Sequence, residues 1–180
     1  MLIERILTKY LKYKNARLLR FDEFEELEAP KPEPKRNYLL YVHIPFCEEL
    51  CPYCSFNRFK FEGGLAKRYF KSLETEIYMY KQLGFEFRAV YVGGGTPTVL
   101  PDEMASLLLK TKRDFKIQEI SLETNPNHLE NDILTKMKRA GVNRLSVGVQ
   151  SFDDGLLKQM ERYHKYGSGN QIREKLACLM

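Results

Sequence analysis

Four short runs of apolar and β-branched residues, separated by helical repeats, constrain this chain more than any other feature. YLLYVHI (38–44), RAVYVG (88–93), IQEISLE (117–123) and NRLSVGV (143–149) read as strands. After the first, Leu65, Tyr69, Leu73, Ile77 and Tyr80 fall on one helical face, and Gly84 marks the stop. PDEMASLLLK (101–110) is a helix with proline in its first turn, and NDILTKMKRAG (131–141) is one that ends at Gly141. The last dozen residues are weakly helical. Strand and helix alternating at this spacing predict an α/β fold with a parallel sheet. In such folds ligands gather at the carboxyl ends of the strands. There the chain places about twenty aperiodic residues with three cysteines, then GGGTPT, then TNPN, then QSF. The unusual residues of the whole sequence therefore converge on one mouth.

Ahead of the first strand the pattern differs. Ile3, Ile6, Leu7, Tyr10 and Leu11 recur at helical spacing among Arg5, Lys9, Lys12, Lys14, Arg17 and Arg20, and an acidic run from Asp22 to Glu28 follows. EAPKPEPKR (28–36) is a linker by composition. The expected division is thus a basic helix and linker over 1–37 and an organised core over 38–180. Docking on the protein's own body is the first expectation for the helix, with a weak membrane or partner contact as the alternative; nucleic acid is not expected. The chain is 43% hydrophobic and 29% charged, with no apolar run near the roughly twenty residues of a spanning helix. Its charged start lacks a secretory core, so a cytoplasmic, reducing setting is expected and the four cysteines are not a disulfide framework.

Three chemistries can use Cys47, Cys51 and Cys54. CPYC (51–54) is a thiol–disulfide pattern, but such thiols sit at a helix start and SFNRFKFEGG is poor helix. A Cys₃His zinc site would need His43, which stands inside the first strand, where a satisfied histidine is the plainer reading. Three thiolates this close together suit an iron–sulfur cluster that leaves one iron without a protein ligand. Cys178, in the last helix, is expected as a buried apolar residue.

FCEELCPYC (46–54), followed about forty residues later by YVGGGTPT (91–98), resembles the radical SAM superfamily. The resemblance implies a 4Fe–4S cluster on Cys47, Cys51 and Cys54, with S-adenosylmethionine on the remaining iron. Its reductive cleavage would give methionine and a 5′-deoxyadenosyl radical that abstracts hydrogen. Together with SLETNPN and GVQSFDD, the run YVHIPFCEELCPYCSFN is similar to the oxygen-independent coproporphyrinogen III oxidases and their haem-chaperone relatives, in order over roughly 38–165. That likeness implies about four βα units of a TIM-like barrel. It sets Tyr41 against the cofactor, Tyr53 beside the adenine, and Gly94, Gly95 and Thr96 around the methionyl group. Glu123 would meet the ribose, Gln150 would line the pocket, and Arg162 would pair with the methionine carboxylate.

The oxidases remove carboxyl carbon from the propionates of coproporphyrinogen III and take electrons from a flavodoxin or ferredoxin, whereas the chaperone branch binds and delivers haem. Phe56 stands where the oxidases carry a further cysteine, which is closer to the chaperone form of the motif. Family members are longer, so the chain is expected to be the first part of a longer protein.

Overall fold

The computed structural model describes residues 2–18, 29–177 and 179, and the chain divides into two compact units, Met1–Pro30 and Lys31–Met180. The division falls inside the proline-rich stretch, ahead of the boundary expected at residue 37. In the first unit α1 (Leu2–Leu18) exposes Ile6, Leu7, Tyr10 and Leu11, and the Lys14 ammonium stands 5.8 Å from the Tyr10 ring. The acidic run 22–28 and Cys178 lie outside the described residues. No helix among those described is long and apolar enough to cross a membrane.

The second unit carries a four-stranded parallel sheet in the order β1 (Tyr38–Ile44), β4 (Phe87–Gly94), β5 (Glu119–Thr124), β6 (Arg144–Val147). Helices α2 (Gly63–Gln82), α3 (Pro101–Phe115) and α4 (Asn131–Arg139) cross between successive strands, and three short helices follow: α5 (Asp154–Gln159), α6 (Tyr163–Tyr166) and α7 (Gly169–Ala177). Each strand pairs with the next in chain order, so these are four consecutive βα units of a TIM-like barrel. Alternation along the strands separates two faces. Leu40, Val42, Ile44, Val90, Val92, Ile120 and Leu122 point to the helices and are buried. Tyr41, Tyr91, Glu123 and Ser146 take the opposite, concave face, and register sets Tyr41 beside Tyr91 and Glu123 beside Ser146.

Local chemistry explains the element ends. Glu62 caps α2 by accepting from the Gly64 and Leu65 amides at 2.8 and 2.5 Å. Pro101 stands in the first turn of α3. Of the apolar face read on α2, Leu73 and Ile77 are buried and Tyr69 and Tyr80 pack partly buried against the core, with Ala66 and Phe70 buried beside them, whereas Leu65 is 45% exposed. The stretch expected to be without structure also holds a short parallel ladder, β2 (Phe46–Cys47) against β3 (Phe59–Lys60), which closes the cysteine loop at its base. Helix begins at Asp154, well before the last dozen residues.

At the amino ends of the strands Phe87 is edge-on to Phe115 at 4.9 Å and stacked with Phe85 at 5.9 Å, with Tyr80 at 6.2 Å. Phe87→Ala should lower the unfolding free energy by roughly 3–5 kcal/mol, read from urea denaturation, without touching the mouth at the other end.

Candidate functional site

A cavity of about 520 Å³ opens at the carboxyl ends of β1, β4, β5 and β6. The three cysteines line it together with Tyr53, Gly94, Gly95, Glu123, Gln150 and Arg162, so the structure brings most of the expected site together. Thr96 is buried directly behind the lining, and its hydroxyl accepts from Asn125 Nδ2 at 2.9 Å. Tyr41 stands lower on the concave face, outside the lining, with its ring stacked on Tyr91 at 6.0 Å. A larger cleft, about 1090 Å³, lies at the amino ends over the aromatic cluster; it holds no cysteine and no expected site residue.

The glycine run explains how the cysteine loop reaches the sheet. Gly94 has φ of 120°, a conformation L side chains rarely adopt. A Cβ on Gly95 would lie 2.6 Å from Phe46 O and 2.9 Å from Cys47 Sγ. The amides of Gly95 and Thr96 donate to Ile44 O and Phe46 O, each at 2.7 Å. The run thus lets Cys47 settle against bare backbone. At the far end of the loop His43 Nε2 meets Asn57 O at 3.0 Å, while its Nδ1 meets Tyr41 Oη at 3.0 Å. Both ring nitrogens are engaged, as expected of a satisfied strand histidine and not of a zinc ligand.

Glu123 crosses the strand ends. It accepts from Tyr91 Oη at 2.5 Å and from the Gly94 amide at 3.2 Å, which leaves carboxylate lone pairs facing the cavity.

Arg162 decides the electrostatics. By itself in KQMERYHKYG it reads as a solvated charge, yet it is only 3% exposed. Its Nη1 donates to Tyr53 Oη at 3.1 Å and approaches Cys51 Sγ at 3.7 Å, its Nη2 donates to Gly148 O, and its plane covers the Tyr166 ring at 4.1 Å. Nε is buried without a partner, and no carboxylate among the described residues pairs with this guanidinium. Neither flanking phenol supplies an anion: burial pushes Tyr166 up to about 12 against the pull of Arg162, and burial also raises Tyr53. A buried cation with no carboxylate partner among the described residues costs several kcal/mol, which an anion held at this mouth, thiolate or carboxylate, would offset.

Arg58, which pattern reading passed over, repeats the feature. It lines the same cavity, donates from Nη2 to Cys51 O, and keeps a buried Nε without a partner. Its only trace in the sequence is a lone cation in SFNRF. Tyr91, Asn125 and Tyr166 escaped for a different reason: nothing but the register of neighbouring strands and the packing of α6 brings them here.

Burial, chiefly, raises the Cys47 thiol, with Thr96 and Arg58 opposing it and the other two cysteines adding to it. The redox pattern needs a thiolate at a helix start, but Cys51-Pro52-Tyr53-Cys54 forms a turn and helix resumes only at Gly63. Among the described residues no three His, Cys, Asp or Glu side chains close around a single metal ion. Arg58 and Arg162 line the cavity with the three thiols and would offset the negative charge of thiolates there.

The profile of the radical SAM superfamily matches residues 41–168. Over 134 residues the chain is 40% identical to the haem chaperone HemW of Bacillus subtilis, covering 69% of this chain and 35% of that protein. It is 38% identical over 149 residues to the oxygen-independent coproporphyrinogen III oxidase of Escherichia coli, covering 79% and 33%. The solved structure of the Escherichia coli coproporphyrinogen III oxidase HemN, described as a radical SAM enzyme, superposes with a TM-score of 0.62 at 38% identity over 70% of this chain and 30% of that one. The chain spans about a third of the length of the curated relatives it matches.

Proposed function

Because this chain belongs to the radical SAM superfamily, we propose that Cys47, Cys51 and Cys54 hold a 4Fe–4S cluster and that the cavity beside them takes S-adenosylmethionine. The observation that carries this reading is the buried Arg162, with its unpartnered Nε, 3.7 Å from Cys51 Sγ. When bound, such a pair supplies one-electron cleavage of a sulfonium and, from it, a radical able to take hydrogen from carbon. The residues of this chain bind and orient. Arg162 offers its guanidinium to a carboxylate, Glu123 accepts from hydroxyls, Gly94 and Gly95 leave backbone room, and Tyr53 borders the flat base. Tyr41, with its hydroxyl on His43, faces the space where a substrate would enter, and Gln150 closes the β6 side.

The substrate class is porphyrinogen or haem, because relatives of both kinds match this chain at similar identity. The first reading is oxidative decarboxylation of coproporphyrinogen propionates, with an electron donor of the flavodoxin or ferredoxin kind. Haem binding and delivery without turnover is the second, favoured by Phe56, which is 69% exposed on the cavity rim where the oxidases carry a cysteine.

Anaerobic reconstitution should load about four iron and four sulfide per chain, with broad absorbance near ~400 nm, and Cys51→Ala should remove most of both. Iron content of Cys51→Ala equal to the parent's would overturn the cluster. Incubating the loaded protein with coproporphyrinogen, S-adenosylmethionine and a reductant separates the two readings: carbon dioxide release supports the first, and stable haem binding without it the second.

A further inference from the structure

A buried polar chain ties three of the loops at this mouth together, and of its members only Thr124 lines the cavity. Thr98, in the 3-10 turn Pro97–Val99 after β4, sets Oγ1 2.7 Å from Thr124 Oγ1 and 2.6 Å from His128 Nδ1. His128, in the turn Pro126–His128 after β5, sets Nε2 3.3 Å from Glu48 Oε2, and Asn127 Nδ2 donates to the same oxygen at 3.0 Å. Thr98, Thr124 and His128 are 2%, 5% and 7% exposed, while the Glu48 side chain is half exposed at the rim. One proton order satisfies every member: the Thr124 hydroxyl donates to Thr98, the Thr98 hydroxyl to Nδ1, and Nε2–H to the Glu48 carboxylate. Hydroxyl, imidazole and carboxylate in series also describe a nucleophilic triad. Here the hydroxyl that meets the imidazole is that of Thr98, which is buried and absent from the cavity wall, so it is not presented to a substrate.

The chain ends instead on the residue after Cys47. Between Cys47 and Cys51 the backbone forms no regular structure, and its two acidic side chains reach different elements, Glu48 to the turn after β5 and Glu49 to Lys165 Nζ on α6 at 3.3 Å. Ligand thiolates repel one another, so a span without anchors would spread unless it were shaped beforehand. We propose that Glu48 and His128 are positioning residues that hold the Cys47–Cys51 span in its metal-binding shape before any iron arrives. This rests on the reading of the three cysteines as cluster ligands.

The test uses the metal-free protein first. In Glu48→Ala, alkylation of Cys51 by iodoacetamide, followed by mass spectrometry, should run about tenfold faster, as expected when charged hydrogen bonds restraining a local opening are lost. The melting temperature should stay at the parent's value, because the Glu48 side chain is half exposed. Iron retained after reconstitution and desalting should fall. Glu48→Gln keeps an acceptor for Asn127 and His128 and should restore both readouts. His128→Leu should give the alanine pattern with a lower melting temperature. Parental alkylation of Cys51 in Glu48→Ala would overturn the proposal. A parent chain that takes up no iron would overturn the cluster reading instead, and the metal-free alkylation separates the two failures.

Discussion

Gly95→Ala is expected to abolish cluster loading and to lower the melting temperature by several degrees. The added Cβ would lie 2.6 Å from Phe46 O and 2.9 Å from Cys47 Sγ, closer than such atoms come in folded proteins. The nearest obstacle is backbone, which has no rotamer to change. Relief therefore means parting the end of β4 from β2, and that breaks the Gly95 amide to Ile44 O, the Thr96 amide to Phe46 O, or both. Overpacking of this kind costs about 1–3 kcal/mol, which at this chain length is roughly 2–4 °C for each kcal/mol. The displaced group is Cys47 itself, so iron per chain after reconstitution should fall to the level of a cysteine variant. Gly63→Ala is the control: its Cβ would find only Phe61 Cζ at 3.9 Å, in the first turn of α2, and iron content and melting temperature should match the parent. Parental iron in Gly95→Ala would mean that the loop does not need its close approach to the sheet.

Arg162→Met should separate stability from binding. The parent buries a guanidinium with an orphan Nε and no carboxylate partner among the described residues, so the folded protein carries a desolvation cost. Methionine has similar length and fills the space over Tyr166 without charge. It also removes the donors to Tyr53 Oη and Gly148 O. These two effects oppose each other, and the melting temperature of the metal-free protein should change by no more than a few degrees. Affinity for S-adenosylmethionine, measured by equilibrium dialysis on the reconstituted protein, should fall about a hundredfold or more, because a charge-assisted pair with the ligand carboxylate is lost from a buried site. Arg162→Lys should recover little, since an ammonium lacks the planar fork that reaches Tyr53 and Gly148 together. Undiminished affinity in Arg162→Met would assign the guanidinium to the loop alone.

Both variants probe residues whose importance reached the surface of the sequence to different degrees. Gly94, Gly95 and the three cysteines are short-range patterns whose residue types have few other uses, and they could be read directly. Glu123 was legible as a polar residue at a strand end, because strand period and sheet direction together send it toward the mouth. The apolar face of α2 was legible from helical spacing, but spacing alone does not say that Leu65, unlike Leu73 and Ile77, stays exposed. The β2–β3 ladder was missed because two-residue strands carry no period. Asn125 and Tyr91 lie in stretches that stood out, TNPN and YVGGGTPT, but nothing local singled out these residues, and Arg58 and Tyr166 carry almost no local signal.

By itself the sequence determined the α/β class, the order of strands and helices, the direction of the sheet and the identity of the thiol trio. These depend on spacings of 2 and about 3.6 residues and on cysteines a few positions apart, all short-range quantities. Only the tertiary structure decided that Arg162 is buried and unpaired instead of solvated, that Arg58 joins it, and that Glu48 is bound through His128 to the turn after β5. Each of these pairs residues far apart in the chain, and the dielectric environment that gives them their chemistry exists only once the strands and loops have closed around them.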